Sequence, residues 1–118
     1  MWQGMDQRRF PRAKYRCVVN IRQEGKTSLI TTETENVGLG GVCVLLEREL
    51  NIFSPVELEL TLVDEKPPLK VQGTIVWVVR RADRKKGPCF DTGIEFAELT
   101  SEHKTRLQAV IQSASHAG

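Results

Sequence analysis

Three arginines stand within five residues near the start of the chain, at Arg8, Arg9 and Arg12. The guanidinium group carries a permanent positive charge and a planar set of five N–H donors. It can bind a phosphate with two parallel hydrogen bonds, contact the acceptor edge of guanine, or stack on a flat base. The cluster is therefore a candidate site for a small anionic nucleotide, although most short basic runs are only solvated surface.

A second candidate is the glycine-rich segment 36–41, which begins with Asn36 and has glycines at positions 38, 40 and 41. The asparagine offers an amide donor and an acceptor, and glycines let a ligand approach backbone N–H groups closely. Three glycines in four positions predict a loop, because glycine loses the most conformational freedom when it is fixed in a strand. Taken alone, such a segment is more often a plain hairpin turn.

Residues that could catalyse a reaction are scarce. His103 and His116 fall on a predicted helix and in the C-terminal tail, and no nucleophile motif or phosphate-binding loop occurs. The cysteines, Cys17, Cys43 and Cys89, are odd in number and include no C-x-x-C pair, which argues against a disulfide framework or a zinc site. We interpret them as small core residues in a reducing compartment, and we expect no enzyme activity, metal or cofactor.

The elements that position the two clusters are predicted to be strands. Alternation of apolar and polar residues indicates six strands. The first begins near residue 14, and the other five cover 28–35, 42–46, 56–62, 69–79 and 90–96. On the fifth strand the apolar face is predicted to run through Ile75, Trp77 and Val79. Short strands at this spacing favour an antiparallel sandwich or barrel.

The last segment changes from a strand period to a helical one. Thr100 is a suitable N-cap, and the residues that then recur at helical spacing are His103, Leu107, Val110, Ile111 and Ala114. This stripe predicts one helix that packs on the barrel or covers one of its mouths. The expected fold class is all-β with a C-terminal helix, built as a six-stranded antiparallel β-barrel.

The two candidate clusters are expected to meet. The arginines directly precede the first strand, and segment 36–41 follows the second. In an antiparallel hairpin these two ends lie side by side. The sequence therefore predicts a shallow, positively charged site lined by backbone at one rim of the barrel.

At these residues the sequence resembles the PilZ domain family, whose pattern is R-x-x-x-R before the first strand and [D/N]-x-S-x-x-G after the second. Residues 8–12 match the first motif, residues 36–41 match the second except at position 38, and the stretch 93–96 followed by a helix is similar to the family's last strand. The resemblance covers residues 8 to about 112. We expect an arm at 1–7, one PilZ-like domain at 8–114 and a tail at 115–118.

The resemblance implies a barrel that binds the bacterial second messenger cyclic di-GMP, often as an intercalated dimer of the nucleotide. By that analogy Arg8 and Arg12 would contact guanine edges and phosphates and stack on the bases. Arg9 would contact a phosphate or a second nucleotide, and Asn36 a guanine edge. Gly41 would let the ligand lie close to the backbone. We expect the arm to fold over the ligand on binding.

Gly38 departs from the family pattern, because it stands at the serine position and lacks the hydroxyl. A lost hydrogen bond to a charged group is worth about 1.5–3 kcal/mol, so binding is expected to be retained but weakened. The alternative function is a degenerate domain that binds no nucleotide and serves as a protein-interaction adaptor. A third interpretation is single-stranded nucleic acid binding through the basic segment 80–86, which would need aromatic stacking platforms.

Composition and charge narrow the class of partners. The net charge of +2 provides no bulk attraction for duplex nucleic acid or a membrane. No apolar run approaches the ~20 residues that span a bilayer, and the N-terminus is polar. We therefore expect a cytoplasmic protein in second-messenger signalling that acts through an unidentified downstream protein.

Overall fold

The structure, a computed structural model, describes residues 12–13, 16–27, 29–62, 66–81 and 88–117. For 12–13 and 114–117 it describes the backbone, so the place of Ala114 on the helical stripe lies outside the described side chains. In chain order the elements are β1 (Arg12–Ala13), β2 (Val18–Gln23), β3 (Leu29–Gly38), β4 (Gly41–Leu46), β5 (Pro55–Thr61), β6 (Leu69–Arg81), β7 (Cys89–Ala97) and α1 (Ser101–Ala117).

Six of the strands close into a barrel. Antiparallel pairing runs from β3 through β2, β5, β6 and β7 to β4, and β4 pairs with β3 again. The short strand β1 is an addition, and it pairs antiparallel with the end of β3. The predicted six-stranded antiparallel barrel with one C-terminal helix is confirmed.

The core of the barrel follows from the alternation of side chains along each strand. In β5, Val56, Leu58 and Leu60 are buried while Glu57 is exposed. Each large apolar side chain buried in this way contributes about 1.5–3 kcal/mol. The largest side chains with less than 2% exposure, or close to it, are Ile21, Leu46, Leu58, Leu60, Leu69, Ile75, Ile94 and Leu107.

The prediction of a loop over segment 36–41 was wrong. Strand β3 continues through Asn36 to Gly38, and β4 begins at Gly41, so that Leu39 and Gly40 alone form the turn. The segment is strand because its backbone is paired: Asn36 and Val37 pair with β4, and Val37 and Gly38 also pair with β1. Gly38 and Gly41 therefore lie within the sheet, and Gly40 lies in the turn.

The predicted burial of Trp77 was also wrong. A register irregularity lies between Ile75 and Trp77 on β6, and an extra residue there reverses which face every later side chain occupies. Ile75 is fully buried and pairs with the fully buried Ile94, whereas Val79 is 53% exposed. Trp77 pairs with Gly93 and is only half-buried. The indole therefore lies on the outer face of the barrel.

The helix begins where the sequence predicts. The hydroxyl oxygen of Thr100 accepts a hydrogen bond from the His103 N–H at 3.1 Å, and the Thr100 N–H donates to Nδ1 of His103 at 3.3 Å. This reciprocal pair satisfies two N–H groups at the helix start. Leu107, Val110 and Ile111 are buried, and α1 contacts β1 and β3. Within the described ranges, no helix combines the length and apolar character that crossing a bilayer requires.

Candidate functional site

Strand β1 brings the end of the arginine motif to the glycine-rich segment. In the register of β1 and β3, Arg12 lies opposite Gly38, and Ala13 lies opposite Val37. Farther along the same edge of β3, the Cys17 N–H donates to the Thr34 hydroxyl at 3.1 Å, before the pairing with β2 begins. β1, Cys17 and β2 thus all lie along one edge of β3. Arg12, the last residue of the first motif, therefore lies beside the second motif, and the rest of the predicted meeting stays a prediction.

The structure describes one of the three arginines of the motif, and only its backbone. Arg8 and Arg9 lie outside the described residues, and Arg12 is described by its backbone alone. Their proposed contacts with a ligand stay predictions. For this motif the structure shows that the backbone of Arg12 lies beside the backbone of Gly38.

A row of outward-facing positions continues the site from this rim across the barrel. Asn36 on β3 pairs with Cys43 on β4, Cys43 pairs with Gly93 on β7, and Gly93 pairs with Trp77 on β6. The indole lies across Gly93, so that a Cβ there would overlap the ring. An aromatic ring on a protein surface is a common stacking partner for a nucleobase. The row therefore joins a polar amide at one end to an aromatic side chain at the other.

Trp77 is the residue that sequence reasoning missed. Strict alternation along the fifth strand assigned it to the core, because one irregular residue cannot be seen in the apolar pattern. The available signal was Gly93, since a glycine inside a strand often marks a place where another group approaches closely. Trp77 itself lies directly opposite this glycine.

An ionic cluster lies beside this row. The Nη1 atom of Arg81 is 3.4 Å from Oδ1 of Asp91 and 3.7 Å from Oε2 of Glu35. The thiol of Cys43 donates to Oε1 of Glu35 at 3.6 Å. Glu35 occupies the irregularity in the β3–β4 pairing, between Thr34 and Asn36. Four strands thus contribute one side chain each.

The electrostatics of the cluster depend on its two carboxylates. Partial burial is the first cause that raises the pKa of Glu35, and the hydrogen bond and charge of Asp91 raise it further. The Cys43 hydrogen bond and the Arg81 charge lower this pKa, but they do not cancel the increase. Although 41% of the Glu35 side chain is exposed, both carboxylate oxygens contact the cluster.

The same side chains have the types of atom that bind metals. The candidate ligand atoms of Glu35, Cys43 and Asp91 all lie within 4.8 Å of one another. Arg81 already contacts both carboxylates, and its positive charge opposes a cation at this place. We therefore assign no metal to this group.

The two glycines of the second motif have different surroundings. A Cβ at Gly41 would overlap the carbonyl oxygen of Ile94 on β7. Glycine is therefore required there by the close approach of two strands, whether or not a ligand also uses the space. Gly38 is buried and lies opposite Arg12. At this position the chain offers backbone in place of the hydroxyl of the family pattern.

The three cysteines are free thiols in different environments. Cys17 is buried in the core, and this burial raises the pKa of its thiol. Cys43 is buried as well, and its thiol donates a hydrogen bond to Glu35 on the outer face. Cys89 is half-buried near the end of β7.

The basic segment 80–86 is only partly within the described chain, because residues 82–87 are not described. Arg80 is exposed, but Arg81 is held by Glu35 and Asp91. This ionic pairing removes one charge from the surface that single-stranded nucleic acid would need.

Comparison with known proteins places the chain in a family. The profile of the PilZ domain matches residues 6–113. Among solved structures, the PilZ domain of YcgR from Escherichia coli with c-di-GMP has a TM-score of 0.72 at 17% identity, covering 94% of this chain and 93% of that one. No curated protein sequence matches.

Two longer proteins share the fold. MotI/DgrA, an inhibitor of motility from Bacillus subtilis, has a TM-score of 0.68 at 21% identity, and this chain covers 50% of it while 94% of this chain is matched. The MrkH–c-di-GMP complex from K. pneumonia has a TM-score of 0.72 at 10% identity, with 89% of this chain and 50% of that one covered. The chain therefore spans about half the length of these two proteins. With the family profile matched over nearly its whole length, the chain belongs to the PilZ domain family.

Proposed function

We propose that this domain is a cyclic di-GMP receptor that catalyses no reaction. The observation that carries the proposal is the register of β1 and β3, in which Arg12 lies opposite Gly38. This register brings the end of the first motif beside the second, and the two are 24 residues apart from Arg12 to Asn36. Family membership and the fold shared with c-di-GMP-bound PilZ structures support the same ligand.

In this proposal each part of the site has a separate task. Arg8 and Arg12 bind guanine edges and phosphates, and Arg9 contacts a phosphate or a second nucleotide. Asn36 contacts a guanine edge through its amide. Trp77 adds an aromatic surface on which a base can stack.

The proposed output is a change in the conformation of the N-terminal arm. β1 is paired with β3 over two residues only, so few backbone hydrogen bonds oppose its movement. A ligand held by the arginines on one side and by β3 on the other would add contacts that favour one position of the arm. Since α1 contacts β1, such a movement would also reach the helix.

We further propose that the rearranged surface engages a downstream protein in the cytoplasm. The structural relatives include an inhibitor of motility and a protein described as a c-di-GMP-dependent transcription regulatory factor. Identification of the protein that binds this domain would show which process the domain controls.

Gly38 supports a second candidate, an adaptor that has lost the nucleotide. The serine of the family pattern is missing, and with it a hydrogen bond worth about 1.5–3 kcal/mol, or roughly ten- to a hundredfold in affinity. If other contacts do not compensate, binding would be too weak to matter in the cell.

Thermal unfolding with and without cyclic di-GMP separates the two candidates. A ligand at 100 times its dissociation constant adds about 2.7 kcal/mol to the stability of the folded state. For a receptor we expect a rise in melting temperature for the wild type and a larger rise for Gly38→Ser at the same nucleotide concentration. An unchanged wild type, with a rise for Gly38→Ser alone, would identify the degenerate adaptor.

A further inference from the structure

We propose that Glu35, Arg81 and Asp91 read the Watson–Crick edge of one guanine in the nucleotide site. This inference rests on the proposed function, and it adds three residues that lie outside both sequence motifs. It makes the outer face of β3, β4, β7 and β6 the surface that selects the base.

The position of the cluster supports this role. Glu35 directly precedes Asn36, and Cys43 connects the two by pairing with Asn36 and donating to Glu35. Asp91 lies two residues from Gly93 on β7, which is roughly 7 Å along a strand. This distance is close to the width of a purine. A base lying against the indole above Gly93 would thus bring one edge to the cluster.

The cluster also has the right set of donors and acceptors. The Watson–Crick edge of guanine presents N–H donors at N1 and N2 beside the acceptor O6. A carboxylate accepts two such N–H groups, and a guanidinium donates to O6. Adenine presents an acceptor at N1 and a donor at N6, so it would place its acceptor against the carboxylate. Two acceptors that face each other without a proton between them disfavour adenine at this place, even though the carboxylates are only partly buried.

The present contacts leave room for such an exchange. The distances from Arg81 to its two carboxylate partners are 3.4 and 3.7 Å, longer than the 2.7–2.9 Å of strong charge-assisted hydrogen bonds. Two carboxylates share this one guanidinium, and their repulsion contributes to the raised pKa of Glu35. The N–H donors of guanine would relieve the repulsion between the two carboxylates, whereas a phosphate group at the same place would add a further negative charge.

Asp91→Asn tests the inference, because it replaces one acceptor oxygen by an amide donor of the same shape. Glu57→Gln is the matched control, since Glu57 forms an exposed ion pair with Arg22 at 3.6 Å on the outside of β5. Titration calorimetry would measure the affinities of the wild type and both variants for cyclic di-GMP and cyclic di-AMP. Glu35→Gln repeats the test if the first variant unfolds.

We expect the wild type to prefer the guanine dinucleotide. Asp91→Asn should weaken cyclic di-GMP binding about tenfold or more, and it should reduce the preference for cyclic di-GMP over cyclic di-AMP. Glu57→Gln should leave the affinities for both dinucleotides unchanged. If the wild type binds cyclic di-GMP and both Asp91→Asn and Glu35→Gln bind it as tightly as Glu57→Gln does, the guanine-reading role is wrong and the receptor function stands. A wild type that binds neither dinucleotide would overturn the receptor function as well.

Discussion

Replacing Gly41 by alanine should destabilise the barrel in the absence of any nucleotide. The added Cβ would overlap the Ile94 carbonyl oxygen, and it would also lie 3.1 Å from the Cα of Glu95. Both obstacles are backbone, so no side-chain rotation relieves them. The start of β4 would have to move away from β7 by roughly 1 Å to restore ordinary contact distances.

The expected cost follows from two effects. Overpacking of this kind costs about 1–3 kcal/mol, and the movement would weaken pairing at the strand end, where the Phe96 N–H donates to the Gly40 carbonyl at 2.8 Å. One lost hydrogen bond adds about 1 kcal/mol, for a total of about 2–4 kcal/mol. An unfolding entropy of roughly 2.1 cal/mol/K per residue gives about 0.25 kcal/mol/K for 118 residues. The melting temperature should therefore fall by about 8–16 °C.

Thermal unfolding followed by circular dichroism measures this change, and Gly25→Ala serves as its control. Gly25 has a φ of 82°, and among the described residues no atom beyond its chain neighbours lies within 4 Å of an added Cβ, so alanine there costs only the left-handed backbone strain of about 1 kcal/mol. The control should lose about 4 °C. If Gly41→Ala loses no more than Gly25→Ala does, the glycine is not required by the β4–β7 approach, and its value would have to come from the ligand.

Three further predictions concern the site and the thiols. The melting temperature of Glu35→Gln should rise relative to that of the wild type as the pH increases from about 4 to about 8. The pKa of Glu35 is raised in the folded state, so ionised Glu35 destabilises the wild type once the pH exceeds the pKa of this group in the unfolded chain. A difference in melting temperature that does not change with pH would contradict this. Trp77→Leu should weaken cyclic di-GMP binding by about 1–3 kcal/mol in a calorimetric titration, and equal affinity would remove the indole from the site. A thiol reagent should modify Cys89 before Cys17 in the native protein, since Cys17 is only 4% exposed and its thiol pKa is raised; mass spectrometry of the labelled protein would show the reverse order if Cys17 were accessible.

Much of the fold could be predicted from the sequence because its strands and helix follow simple periods. The alternation of Val56, Leu58 and Leu60 with exposed Glu57 matches the structure. The face shared by Phe90, Thr92 and Ile94 matches it as well, since all three are buried. The helix cap at Thr100 could also be predicted, because it depends only on the Thr100 hydroxyl and the backbone N–H of His103, three residues later.

The parts that could not be predicted depend on contacts between distant strands. The irregularity after Ile75 coincides with hydrogen bonds to the β4–β5 connection, where the Phe53 N–H donates to the Ile75 carbonyl at 2.6 Å and the Ile75 N–H donates to Ser54 at 3.0 Å. The sequence around Trp77 contains no pattern that predicts these hydrogen bonds. The strand character of segment 36–41 likewise depends on pairing with β1 and β4. The motifs could be located from the sequence, but the outer face that joins them to Trp77 could not.

Titration calorimetry of the purified domain with cyclic di-GMP tests the central claim most directly. The wild type should be compared with Arg8→Ala/Arg12→Ala and with Arg22→Ala/Arg48→Ala, a control that removes the same charge from two exposed positions elsewhere. The receptor account predicts micromolar or tighter binding by the wild type and the control, and its loss in the first double variant. Equal affinity in all three proteins, or no binding by the folded wild type, would contradict the account.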